Sequence, residues 1–450
     1  MDKPTIILAT SNGIGMGHLA RATAVAQELR ELAHPIIVSV AGGIAEIPSS
    51  LNLPCEYIPG ESRAWMPDHI WDRYFRDRLI AIAEETGASV ISFDGVVPYV
   101  GFLAIKLKKP DLKIVWVRRG LWKRNILRFA LPLQSKLVDL IIEPGDLARS
   151  YDLGPTASRA DAILTSPVTL INSQRVHSRE IARQLLKLDP TRPAVLVQLG
   201  TGDNDMNEKM RAALTGLVGW KDLQVVLTKN PVDSEGNSLV PQGLDVQIQR
   251  YFPLADVLSA FDGAIAATGY NSVHELLPAC IPTVFVSNIR GTDDQDARAQ
   301  WCHDHGFALR ADHSQLTDIT SKVMDLQNES LRSNLAKKCE ELSELVGAKE
   351  IARILLSTSS DEIALKHTKE IFRFFSIQLI HKATIIYRLL KPHQKDKQVG
   401  DGKPIFSSET EADYLRTHIK GDQRFEHMIV GASESYISRR HKIANKAYGK

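Results

Sequence analysis

His18 and Arg21 stand three residues apart, directly after glycines at positions 13, 15 and 17, in the run Ser11-Asn12-Gly13-Ile14-Gly15-Met16-Gly17-His18-Leu19-Ala20-Arg21. Glycines let the backbone take positive φ and leave room for a ligand to come close. The N–H groups opening the helix that follows favour an anion or an oxygen-rich group. An imidazole titrates near neutrality, so His18 is a candidate general base; the plainer alternative is a helix cap. Arg21 is a cation in a first helical turn, where the helix dipole disfavours it. That points either to an anionic partner or to plain solvent exposure. The glycine order departs from the dinucleotide fingerprint, and no acidic residue closes the next strand at Val38-Ser39-Val40. Nicotinamide chemistry is therefore not expected.

A second group of residues suits a nucleotide sugar. In Thr268-Gly269-Tyr270-Asn271-Ser272-Val273-His274-Glu275, a small-residue turn puts Asn271 and Ser272 at a helix start, where a pyrophosphate is favoured. Glu275 follows about one turn later, and a carboxylate there can accept two hydrogen bonds from a ribose diol. Thr292-Asp293-Asp294-Gln295-Asp296 opens another helix with side chains that suit sugar hydroxyls. Gly200-Thr201-Gly202 offers backbone N–H groups and a hydroxyl after a buried strand. Each of these could be a helix cap or a plain turn. At consecutive strand ends of one sheet they fit a ligand site better.

The elements that position these residues alternate between strand and helix. Strands are expected at 5–10, 35–40, 89–93, 113–117 and 140–142, and again at 194–199, 224–227, 246–248, 263–267 and 283–286. Leu19, Ala22, Ala26 and Leu29 form an apolar helical stripe between the first two. This alternation predicts an α/β chain with two parallel, doubly wound sheets. We place a first domain at 1–165 and a second at 166–357. A basic amphipathic helix is expected at 358–392, and a polar, partly disordered tail at 393–450. The 450 residues accommodate two domains, and a net charge of +2 gives no reason to expect nucleic acid. Four scattered cysteines argue for a reduced compartment rather than a disulfide framework. No metal is expected, because His303 and His305 beside Cys302 lack a second ligand cluster. Neither a signal peptide nor a membrane-spanning run is expected, which suggests a cytoplasmic protein.

Together these residues resemble the GT-B superfamily of nucleotide-sugar glycosyltransferases, and in particular the N-acetylglucosaminyltransferase family that forms lipid II in peptidoglycan synthesis. The likeness covers residues 4–357 and is most specific from Gly269 to Gln295. It implies two Rossmann-like domains facing a cleft, with the UDP-sugar held mainly by the second. It also implies inversion at the anomeric carbon, no metal and no resident cofactor, the UDP-sugar being a co-substrate. By position, Gly15, Gly17 and His18 resemble the first-loop Gly-His on the acceptor side, with Arg21 and Arg119 beside them. Glu275 matches the ribose-binding glutamate, and Gln295, next to Asp294, matches a glutamine on the donor sugar. Gly200, Thr201 and Gly202, with Gly269, Asn271 and Ser272, resemble the loops at the phosphates. Tyr251 and Phe252 fall where the family meets the uracil. The acceptor side departs from the family: Trp116-Val117-Arg118-Arg119-Gly120 and Phe93-Asp94-Gly95-Val96 replace its acceptor motifs, so lipid II is not the expected product. Asp94 is a second candidate for the base or for acceptor binding.

The resemblance implies transfer of a hexosyl or N-acetylhexosaminyl group to a lipid-linked or cell-envelope glycan. A UDP-sugar hydrolase is the main alternative, since some hydrolases share Gly-x-Gly-His-x-x-Arg; a non-catalytic nucleotide-sugar-binding partner is a third. Two segments mix cations with large apolar groups: 118–128, and a helix over 365–391 carrying Phe372, Phe375, Leu379, Ile386 and Leu390. Either could rest on an anionic membrane at the inner face. The helix could equally pack against the first domain.

Overall fold

The computed structural model describes residues 3–11, 17–40, 50–58, 60, 68–124, 131–172, 174–200, 204–228, 238–249, 251–289, 291–360, 369–390, 429–430 and 432–448. Seven strands of the first half are β1 (Thr5–Thr10), β2 (His34–Ser39), β3 (Cys55–Tyr57), β4 (Ala88–Asp94), β5 (Lys113–Val117), β6 (Leu140–Glu143) and β7 (Ile163–Leu164). They run parallel in the order β3-β2-β1-β4-β5-β6-β7. The second half supplies β8 (Ala194–Gln198), β9 (Gln224–Leu227), β10 (Asp245–Ile248), β11 (Gly263–Ala267), β12 (Thr283–Val286) and β13 (Leu309–Ala311). Their order is β10-β9-β8-β11-β12-β13, again parallel. Both sheets reverse direction between their first and fourth strands, at β1/β4 and β8/β11. In open α/β sheets, ligands bind beyond the carboxyl ends of the strands at this switch point. The expectation of two doubly wound α/β sheets therefore holds.

Central strands covered on both faces are buried end to end, as β1, β9 and β12 are, whereas the edge strands β7 and β10 are largely exposed. In β1, Ile7 and Ala9 pack toward Trp71 and Phe75, while Ile6 and Leu8 pack toward Leu19, Ala22 and Ala26. Val195 and Val197 of β8 face one core cluster and Leu196 the other.

The chain returns to the first domain at its end. The Gly347–Ser359 helix buries Ala348, Ile351, Ala352 and Leu355 in the cluster formed by the Gly17–Leu29 helix, although the sequence assigned residues up to 357 to the second domain. A Cβ on Gly347 would lie 2.0 Å from the Ser166 carbonyl oxygen, so this crossing requires glycine.

The Glu370–Leu390 helix packs against the Asp68–Thr86 helix of the first domain. Ile377 is buried there, and Arg373 donates to the Leu137 carbonyl and the Asp139 carboxylate. Its opposite face leaves Ile371, Phe372, Phe375, Leu379, Ile386 and Leu390 exposed. No described helix is long and apolar enough to cross a membrane.

Two expectations are corrected. Within the cation-rich stretch at 118–128, Arg118, Leu121 and Trp122 are buried rather than facing a membrane. Arg118 pairs with Glu143 and Asp161, and Trp122 forms an antiparallel bridge to Asp293 of the second domain. Residues 125–130 lie outside the described residues. The end of the polar tail is not a loose segment either. A last strand, β14 (Ile429–Val430), pairs antiparallel with β3, and the Glu434–Tyr448 helix docks on the Asp68–Thr86 helix.

Candidate active site

His18 opens the helix after β1, and Asp94 ends β4 directly beside Thr10 of β1. The switch point thus brings together residues 76 positions apart in the chain: His18 Nδ1 lies 2.6 Å from Asp94 Oδ1. Arg21 shares the face of His18, as residues three apart on a helix do. Its Nε and Nη2 donate to both Asp94 oxygens at 3.0 and 2.6 Å. Arg21 Nη2 also lies 2.8 Å from His18 Nδ1. In the tautomer whose Nδ1–H donates to the carboxylate, the Nε2 lone pair of His18 is left to accept a proton. Burial lowers the His18 pKa, and the charges of Arg21 and Arg119 add to that against the pull of Asp94. His18 is therefore neutral at pH 7. Burial works against the Asp94 carboxylate, but Arg21 and His18 outweigh it and hold Asp94 ionised. Asp94 is only 5% exposed, and these partners occupy both of its oxygens.

The second domain meets this group through Tyr270 to Leu276, the helix after β11. The Tyr270 hydroxyl donates to the Gly145 carbonyl and accepts from Val168 N–H, and the Arg21 guanidinium lies 5.0 Å from the ring centre. Asn271 Nδ2 reaches the Gly17 carbonyl at 3.4 Å, so the proposed phosphate turn touches the histidine loop. His274 is buried, donates from Nδ1 to the Tyr270 carbonyl and accepts at Nε2 from Leu147 N–H. Burial pushes its pKa down to about 4, so it is a neutral structural link.

Sequence reasoning missed the group beneath this helix. Arg298 is fully buried and pairs with Asp146 of the first domain and Asp293 of the second, both at 2.9 Å. It also donates to the Thr268 carbonyl. Only the position of Asp146, just past the end of β6, could have signalled it, because its partner lies 152 residues away.

The remaining candidates divide. Glu275 makes no ion pair among the described residues, and burial together with the Asp256 charge pushes its pKa up to about 8. Asp294 caps the Gln295–Asp304 helix through Ala297 N–H, and its own N–H donates to the Leu121 carbonyl. The Gln295 side-chain oxygen accepts from Asn288 N–H. Asp294 and Gln295 thus hold the loop between β12 and the Gln295–Asp304 helix in place. Ser272 and Gly269 stand at the open start of the Tyr270–Leu276 helix, and a Cβ on Gly269 would meet nothing closer than 3.9 Å. Gly200 takes φ +89°, the conformation that demands glycine. Phe252 is half-buried against the apolar cluster that holds Tyr270. Gly15, Thr201 and Gly202 lie outside the described residues. Several buried polar atoms without a described partner lie at strand carboxyl ends or in the turns and helix start that follow them on this side: Thr10 Oγ1, Arg119 Nε, Thr268 Oγ1, Asn271 Oδ1 and Ser287 Oγ. Buried polar atoms are normally paired, so a concentration of orphans marks a place for a polar ligand.

Glu275 yields a stability prediction. Its folded pKa lies above its ordinary 4.5, so folding binds the proton more tightly and wild-type stability falls as pH rises from 4.5 through 8. Glu275→Gln removes the anion. Its melting temperature is expected to exceed wild type at pH 9 by about 2–4 °C, the effect of roughly 1 kcal/mol in a domain of this size, and to match it at pH 4. Calorimetry at the two pH values checks this, and equal melting at pH 9 would contradict it.

The sequence matches no family model. It is 30% identical over 168 residues to the UDP-N-acetylglucosamine–N-acetylmuramyl-(pentapeptide) pyrophosphoryl-undecaprenol N-acetylglucosamine transferase of Paenarthrobacter aurescens (strain TC1), covering 36% of this chain and 45% of that protein. It is 28% identical over 115 residues to 4'-demethylrebeccamycin synthase of Lentzea aerocolonigenes, covering 26% of each. The matched stretch thus spans less than half of either relative. Among solved structures, Acinetobacter baumannii MurG superposes with a TM-score of 0.50 at 18% identity, covering 78% of this chain and 99% of that one. Phytolacca americana UGT2, complexed with UDP-2fluoro-glucose and pterostilbene, gives 0.55 at 14% identity, covering 79% and 100%. The spinosyn forosaminyltransferase SpnP gives 0.55 at 16% identity, covering 79% and 99%. With its two like-ordered sheets meeting at their switch points, the chain has the GT-B fold of these glycosyltransferase structures.

Proposed function

We propose that this protein is an inverting glycosyltransferase. It would move a hexosyl or N-acetylhexosaminyl group from a UDP-sugar to a hydroxyl of a lipid-linked or cell-envelope glycan. The observation that carries this reading is the His18–Asp94 pair, buried at one switch point and facing the Asn271–Glu275 turn of the other. The acceptor oxygen bonds to the anomeric carbon as the bond from that carbon to the diphosphate breaks. The electron pair leaves with UDP, and the acceptor proton passes to His18 Nε2. Asp94 stabilises the imidazolium so formed. Asn271, Ser272 and the Gly200–Gly202 turn would meet the diphosphate, and Glu275 the ribose diol. No resident cofactor enters the scheme. The relatives support it by their names: one is an N-acetylglucosamine transferase and another structure holds a UDP-sugar analogue.

A UDP-sugar hydrolase is the competing reading, and Arg21 was its main support. Arg21 is held on Asp94 and 3% exposed, so it is not placed to bind substrate directly. UDP release from a panel of UDP-sugars, with and without membrane lipid or polysaccharide acceptors, separates the two. Release that needs an acceptor supports transfer, and full-rate release without one supports hydrolysis.

The proposal extends to peripheral contact with an anionic bilayer through the exposed face of the Glu370–Leu390 helix. Phe375 and Leu379 are 65% and 60% exposed there, and Lys369 just before the helix and Lys382 within it are exposed. Apolar groups enter the interface while lysines meet anionic headgroups. Phe375→Glu with Leu379→Glu is expected to cut partition onto phosphatidylglycerol vesicles by about tenfold or more, from the area these side chains bury. Flotation measures it. Partition unchanged in the variant, or equal on phosphatidylcholine vesicles, would contradict the contact.

A further inference from the structure

Arg119, just past the end of β5, is a cation whose surroundings do not satisfy it. Arg21 and Arg298 each touch carboxylates directly, at 2.6 and 2.9 Å. Arg119 does not: its Nη2 lies 3.7 Å from Asp293 Oδ1, beyond hydrogen-bond distance. That same oxygen already accepts from Arg298. Arg119 Nε is buried with no described partner. Burial lowers the pKa of Arg119; Asp293 and Asp146 pull it back up, but the like charges of Arg21 and Arg298 add to the burial and the net shift is down, whereas the pKa of Arg21 and Arg298 is raised. A guanidinium offers five N–H donors in a fork matched to oxyanions, and a desolvated one without close partners is costly to keep. Arg119 lies near enough to His18 to influence its charge, and 3.7 Å from the Asp293 carboxylate. The Arg119 backbone is fixed, since its carbonyl accepts from the Trp122 indole at 2.7 Å.

The geometry points to Arg119 as a binding residue for a phosphate-type oxyanion next to the reacting hydroxyl. This rests on the reading of the cleft as a glycosyl-transfer site. Two sources share the chemistry: the diphosphate of the UDP donor, and a phosphate or diphosphate on the acceptor. The open side of the Arg119 fork would take two oxygens in parallel, and the ion would complete the coordination that Asp293 does not supply.

Calorimetric titration of the full-length protein tests this with Arg119→Met and Arg119→Lys, using uridine, UDP and inorganic pyrophosphate as probes. Wild type that binds neither uridine nor UDP would overturn the functional reading itself. If the donor supplies the anion, Arg119→Met weakens UDP by about 10- to 100-fold, the loss of one charge-assisted contact, while uridine is unchanged. If the acceptor supplies it, UDP is unchanged and pyrophosphate binding to the UDP-saturated protein is lost to a similar degree. Arg119→Lys keeps the charge and retains part of the affinity in whichever arm responds. Wild-type affinities for UDP and for pyrophosphate in both variants, with melting temperatures intact, would overturn the assignment.

Discussion

His18→Ala is expected to lower kcat for acceptor-dependent UDP release by about 10²- to 10⁴-fold, the usual contribution of a positioned general base. Its melting temperature is expected to stay near wild type, because Asp94 keeps both bonds from Arg21. Asp94→Ala is the less clean test. It strands Arg21, 3% exposed, without a carboxylate, and breaking a buried pair in this way costs about 3–5 kcal/mol. The pH profile follows from the same geometry. A base works unprotonated, so the rate rises with pH through the His18 pKa and then levels. Burial, Arg21 and Arg119 hold that pKa below 6.5, so the acid limb is centred below 6.5. Measured kcat across pH checks this, and a limb centred above 7 would remove His18 from the role.

Arg440→Met is expected to destabilise the first domain by about 3–5 kcal/mol, a large share of the 5–15 kcal/mol typical of a whole domain. The reason is a buried group of four charges. Arg78 bonds Glu56 and Glu85 at 2.6 and 2.8 Å, and Arg440 bonds the same two carboxylates at 2.9 and 2.6 Å. None of the four is more than 1% exposed. Without Arg440, two carboxylates share one guanidinium in a place water does not reach. Adding Glu85→Gln to Arg440→Met removes the surplus charge and is expected to recover part of the loss. Urea denaturation of both variants measures it. A midpoint unchanged in Arg440→Met would show that the terminal helix is not docked as described.

The terminal helix also shows where reading residues in order fails. Apolar periodicity finds helices that bury apolar stripes, and Leu19, Ala22, Ala26 and Leu29 were found that way. The Glu434–Tyr448 helix buries Arg440 and Ala444 instead, so its sequence looks like a solvated tail. Arg118 and Trp122 misled for a related reason. Cations interleaved with large apolar groups describe a membrane-facing segment and a buried ion-paired loop equally well, and Glu143 and Asp161 lie far along the chain. The strand–helix alternation was legible because it is local and repeated. His18 and Glu275 stand out in the sequence because short turns present them. That His18 and Asp94 form one device was not legible, nor was the Asp146–Arg298–Asp293 link. Both are products of strand order and domain docking, which no local pattern encodes.

The proposed reaction is a single displacement by an acceptor hydroxyl deprotonated by His18, and the configuration of the product tests it most directly. Proton NMR of the reaction with one UDP-α-sugar and the acceptor identified from the panel reads the anomeric coupling of the newly linked sugar. A β-linked product, formed only when acceptor is present, is the predicted result. An α-linked product, or free sugar released at the same rate without acceptor, would contradict it.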